Sequence, residues 1–134
     1  MSATFDDDVR RLLDGKNFAT VATLDPDGSP HTSVVWFLRD GDTALFSSTT
    51  QRRKVRNLER DPRIALSVFD LANPYHAVDI RGTAELTVDE AKSLPVELSQ
   101  KYLGSEPPPE PDEIKRYIVR VIPEKITTFS TGTR

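Results

Sequence analysis

The chain has 134 residues, 37% of them hydrophobic, with ten prolines, no cysteine and a net charge of −3. That length fits one domain over residues 1–134, and the lack of cysteine excludes disulfides, thiolate metal sites and a cysteine nucleophile. The acidic balance (sequence pI near 5.4) argues against nucleic-acid binding driven by net charge.

From the N-terminus, Val9, Leu12 and Leu13 follow helical spacing behind Asp6, Asp7 and Asp8, which suit a helix start, and Gly15 is the stop. Three strand-like runs follow, at 18–24, 31–39 and 43–48, separated by Asp25-Pro26-Asp27-Gly28 and Asp40-Gly41, and predict an antiparallel meander. The period then changes: Val55 and Leu58 sit three apart in a charged run closed by Asp61-Pro62, which predicts a helix of about ten residues. Residues 64–69 and 76–87 return to strand across a loop at 70–75, and Gly82 inside the second run marks a bulge or a close backbone approach. Residues 89–102 predict a helix capped at or near Asp89, with Pro95 as an irregularity. A stiff connector, GSEPPPEP at 104–111, leads to a last strand at 117–129 interrupted by Pro123. The expected fold is mainly β: a six-stranded antiparallel barrel with short helices at its crossings, since closure removes sheet edges.

The longest apolar run, Val34-Val35-Trp36-Phe37-Leu38, is too short to cross a bilayer, and the start MSATFDDDVRR has no apolar core of a secretory signal. A soluble cytoplasmic protein is therefore expected. Two histidines far apart in the chain give no metal site.

One stretch does not fit an acidic protein. SSTTQRRKVRNLERDPR, residues 47–63, places six bases against two acids directly behind four hydroxyl residues. A helix start has unpaired N–H groups and a positive dipole end, so Arg52 and Lys54 there require something negative, and a phosphate fits. The plainer alternative is a solvated basic helix face with an ordinary Ser/Thr cap. Arg56, Arg60 and Arg63 read as such a face, with Glu59 placed to pair with Arg63.

The order ATVATLDPDGSPHTSVVWF, SSTT, RRKVRNLERDPR and NPYHAVDIRGTAEL resembles the split-barrel flavin and deazaflavin proteins related to pyridoxamine 5′-phosphate oxidase. Within them it is most similar to the short branch that uses the deazaflavin coenzyme F420. The resemblance implies a homodimer with cofactor sites at the subunit interface. It also implies Arg52 and Lys54 on the cofactor phosphate, and Ser48 and Thr49 along the ribityl-phosphate arm. His31, Val34 and Trp36 would lie beside the ring system, and Tyr75, with its neighbour His76, would reach the cofactor from the other subunit. Trp36 fits core packing equally well, Tyr75 a surface turn, and His31 plain exposure.

The function implied is an oxidoreductase passing a hydride between F420 and an electron-poor organic substrate. No catalytic acid or base is assigned; His76 is the one residue put forward as a proton donor. An FMN-dependent oxidase or reductase is the alternative, and a non-catalytic flavin or tetrapyrrole binder another. Neither nucleic acid nor membrane is an expected partner.

Overall fold

The computed structural model describes residues 2–130. Its first helix, α1 (Asp7–Asp14), starts where the three aspartates predict: the Asp6 carboxylate accepts the Val9 N–H, and Gly15 caps the other end. Val9, Leu12 and Leu13 turn inward as their spacing requires. Seven strands follow: β1 (Ala19–Leu24), β2 (Pro30–Val35), β3 (Leu38–Asp40), β4 (Thr43–Thr49), β5 (Arg63–Asp70), β6 (Asn73–Val88) and β7 (Arg116–Ser130). Helix α2 (Arg53–Arg60) lies between β4 and β5, and α3 (Ser93–Leu103) between β6 and β7.

All strand pairs are antiparallel, in the order β2-β1-β5-β6-β7-β4-β3. The expected six-stranded barrel is therefore wrong in both strand count and closure. The run at 31–39 breaks at Trp36-Phe37, and its halves end on opposite edges of the sheet, so there is no three-strand meander. The break has a physical cause. The Phe37 N–H donates to the Tyr102 hydroxyl at 3.3 Å, and its carbonyl accepts from Lys101 Nζ at 2.9 Å. Backbone groups satisfied by a helix cannot also join a ladder. A two-residue link brings the two edges near each other, yet no ladder joins them and the sheet stays open.

The inner face packs against α1 with period-two burial. Val21, Phe46, Leu66, Val68, Val78, Ile80, Val119 and Val121 join Val9, Leu12 and Leu13 in one core, with Leu58 of α2 beside them. The predicted close approach at Gly82 is present: β6 and β7 shift register there, and Gly82 faces Pro123. Pro123 does not interrupt β7, because the bulge beside it absorbs its missing N–H. Residues 73–75, expected in a loop, begin β6 after a tight turn.

Asp89 is the buried hub at the start of α3. One carboxylate oxygen accepts the Ser93 N–H at 3.0 Å and the Ser93 hydroxyl at 3.2 Å, and the other accepts the Leu94 N–H at 3.0 Å. Asp89→Ala strips these acceptors and is expected to cost about 1–2 kcal/mol of stability, the range for lost caps. Urea unfolding of the variant checks this.

Candidate functional site

Six parts of the fold converge on a cavity of about 480 Å³, a volume typical of small-molecule sites. Strand β2 ends there with Val34, Val35 and Trp36, and β4 ends there with Ser47, Ser48 and Thr49. Arg52 and Lys54 lie at the start of α2, and Arg116 opens β7. The far wall comes from α3, through Pro95, Leu98 and Ser99, and from Pro107 of the connector.

Six residues predicted from the sequence thus border one space: Val34, Trp36, Ser48, Thr49, Arg52 and Lys54. Three do not. His31 lies on β2 opposite Thr23. Tyr75 is 64% exposed. His76 is drawn to α1, its Nε2 lying 2.8 Å from Asp8 Oδ2, with Asp70 on its other side.

Arg52 is the N-cap residue of α2 rather than a member of its first turn, and no side chain caps that end. The first turn contains no acid. Lys54 is only 7% exposed, and its ammonium donates to Ser33 Oγ at 3.3 Å. Burial, followed by the neighbouring Arg52, pushes its pKa below the ordinary lysine value. Among the described residues, neither Arg52 nor Lys54 has a carboxylate partner. The later bases Arg60 and Arg63 have partners of their own. Arg63 binds Asp61 at 2.7 Å rather than Glu59, and Arg60 donates to the Leu24 carbonyl.

Several contributors were not read from the sequence. Asn57, buried on α2, donates to Thr23 Oγ1 and Asp25 Oδ1, both at 3.0 Å, and so holds the helix to β1 and the turn after it. In the sequence it is one polar residue in a charged run. Tyr102 stacks on Trp36 with ring centroids 5.0 Å apart and on Phe18 at 5.5 Å. Its hydroxyl also donates to the Asn17 carbonyl at 2.5 Å. Trp36 therefore belongs to the rim of the cavity, backed by Tyr102, and not to the core.

Beside Tyr102, Lys101 Nζ donates to the Leu13 and Phe37 carbonyls and sits 4.4 Å from the Phe37 ring centroid. Burial pushes its ammonium down to about 8, against the opposing pull of Asp14. Between that value and the ordinary 10.5, the unfolded chain holds a proton that the folded chain has released. Stability should therefore rise with pH from about 8 to 10.5 through this group. We expect the wild type to gain in melting temperature on Lys101→Met across that window; a constant difference would contradict it.

Residues 5–130 match the family model described as pyridoxamine 5′-phosphate oxidase. A pyridoxine/pyridoxamine 5′-phosphate oxidase of Kineococcus radiotolerans is 30% identical over 105 residues, which is 78% of this chain. The match spans only 44% of the relative's length. A solved structure of an F420 reductase is 34% identical with a TM-score of 0.81, covering 88% of this chain and 94% of that one. A conserved hypothetical protein of Mycobacterium tuberculosis shares the fold at 22% identity and a TM-score of 0.77, covering 96% of this chain and 86% of its own. The strand order, the cavity and these matches lead to one assignment: the chain belongs to the pyridoxamine 5′-phosphate oxidase family.

Proposed function

We propose that this chain is an oxidoreductase that binds coenzyme F420 and moves a hydride between the deazaflavin and an electron-poor organic substrate. The observation that carries this reading is the placement of Arg52 and Lys54 together on the cavity with no carboxylate beside either. Two adjacent cations, one of them buried, oppose each other, and a bound anion relieves that opposition. The donor set suits a phosphate ester: a guanidinium, an ammonium, an uncapped helix end and the hydroxyls of Ser47, Ser48 and Thr49.

When bound, the coenzyme supplies the carbon that carries the hydride. The chain's residues bind, orient and shield. Arg52 and Lys54 neutralise the phosphate, and Ser48 and Thr49 offer hydroxyl donors. Val34 and Trp36 on one side, with Leu98 and Pro107 on the other, give apolar walls that exclude water from a ring system. No histidine, aspartate or glutamate lines the cavity among the described residues, which suits chemistry carried by a cofactor rather than by an acid–base pair.

Likeness to an F420 reductase along nearly the whole of both chains supports the deazaflavin. FMN is the second reading, favoured by the oxidase relative, because it presents the same phosphate to the same residues. Residues 1–134 would act as one cofactor-binding domain of a cytoplasmic homodimer, with exposed Tyr75 facing the partner's site and His76, held by Asp8, beside it. Exposed Tyr75 and Phe69 (46%) on the outer side of the sheet support such a pairing. Oxidation of reduced F420 by a panel of electron-poor acceptors tests the activity. A rate no higher than the protein-free control with every acceptor would leave a binder and not an enzyme, and a monomer by light scattering would remove the dimer.

A further inference from the structure

The third cation of the cavity, Arg116, is the one that carries a carboxylate. It lies directly across the ladder from Thr49, and its Nη1 donates to Ser47 Oγ at 3.2 Å. Glu110 takes the rest of the guanidinium in a two-pronged pair, Nε to Oε2 at 2.8 Å and Nη2 to Oε1 at 3.2 Å. Lys92 Nζ stands 3.2 Å from the same carboxylate. The hydrogen bond from Arg116, then Lys92, holds Glu110 below the ordinary carboxylate range, so it is ionised at neutral pH.

Glu110 belongs to no helix or strand. It is the penultimate residue of the connector 104–111, which is tied at its start by Ser99 Oγ to the Ser105 carbonyl at 2.6 Å and at its end by Lys92 Nζ to the Pro111 carbonyl at 3.0 Å. Between the ties, Pro107 borders the cavity, and three consecutive prolines stiffen the segment. The acid that neutralises a cation of the site is thus carried on the cavity's own wall. Two-pronged guanidinium pairing is also the geometry that reads a phosphate or carboxylate of a ligand.

We infer that Arg116 is a third anion-reading side chain of the cavity, and that Glu110 is a built-in competitor that occupies it until an acidic group of the ligand takes its place. The inference rests on the reading of the cavity as a site for a phosphate-bearing cofactor. A ligand phosphate held by Arg52, Lys54 and Arg116 together outcompetes the Glu110 carboxylate for Arg116, and its arrival leaves Glu110 to Lys92.

Binding of F420, FMN and riboflavin, which lacks the phosphate, to the wild type and to Glu110→Gln, Glu113→Gln, Arg116→Gln and the Glu110→Gln/Arg116→Gln double variant tests this. Glu113 is exposed in the turn just after the connector and makes no side-chain bond among the described residues, so it controls for net charge. Glu110→Gln is expected to tighten both phosphate-bearing cofactors about five- to tenfold, to leave riboflavin unchanged, and to exceed Glu113→Gln. The gain should vanish once Arg116 is replaced. A gain matched by Glu113→Gln, shared by riboflavin or kept without Arg116 would overturn the inference. If the wild type binds none of the three, the cofactor reading fails by itself and inorganic pyrophosphate decides. A larger pyrophosphate-induced rise in melting temperature for Glu110→Gln than for Glu113→Gln, absent in Arg116→Gln, supports the competitor, and equal rises overturn it.

Discussion

Replacing Arg52 by Ala or Lys54 by Met is expected to weaken binding of a phosphate-bearing cofactor by about 1.5–3 kcal/mol, the value of a charge-assisted hydrogen bond. That is roughly a ten- to 150-fold loss of affinity. Arg56→Ala and Arg63→Ala should each cost about 0–1 kcal/mol, as exposed charges do. The contrast follows from position. Arg52 and Lys54 border the cavity, whereas Arg56 is exposed outside it and Arg63 is already paired with Asp61. Methionine keeps the buried stem of Lys54 while removing an ammonium that burial and Arg52 both disfavour. The melting temperature of the cofactor-free Lys54→Met protein should therefore hold or rise. Equal losses at all four positions would mean a diffuse basic face and no phosphate site.

Among the described glycines, Gly82→Ala should be the most damaging change to alanine. A Cβ at residue 82 would lie 1.9 Å from the Ile122 carbonyl oxygen and 2.8 Å from its carbon. Both are backbone atoms of the facing strand, so no rotamer change relieves the clash, and β6 and β7 must part at their bulge. These two strands share the longest ladder of the sheet, and the adjoining Val78, Ile80, Val119 and Val121 are core residues. We expect a loss of about 3 kcal/mol or more, at the upper end of overpacking costs. It would show as a fall in the urea midpoint. A midpoint within error of the wild type would mean that the strands do not approach this closely.

Gly82 and Asp89 show what the sequence makes legible: a glycine inside a strand pattern and an acid ahead of a helix pattern each have few physical uses. Local periodicity likewise located α1, α2 and most strands. It failed at Trp36-Phe37, where the apolar run continues unbroken and only hydrogen bonds with Lys101 and Tyr102, far along the chain, divert the backbone. That one break turned six strands into seven and left the sheet open.

The same split runs through the site. Arg52 and Lys54 stood out because bases at a helix start go against the dipole. Arg116 reaches Ser47, Asn57 reaches Thr23 and Asp25, and Tyr102 reaches Asn17 and Phe37, partners 32 to 85 residues away that no local pattern signals. Pro107 reaches the cavity only because α3 folds back over β4, which no local pattern encodes.

We expect this cavity to hold a deazaflavin by its phosphate. The most direct measurement is titration of the purified, cofactor-free protein with F420 and, in parallel, with FMN, followed by absorbance and fluorescence. One F420 should bind per chain, more tightly than FMN, with both affinities falling in Arg52→Ala. Tighter binding of FMN, purification as a yellow protein with one FMN per chain, or no binding of either would contradict it.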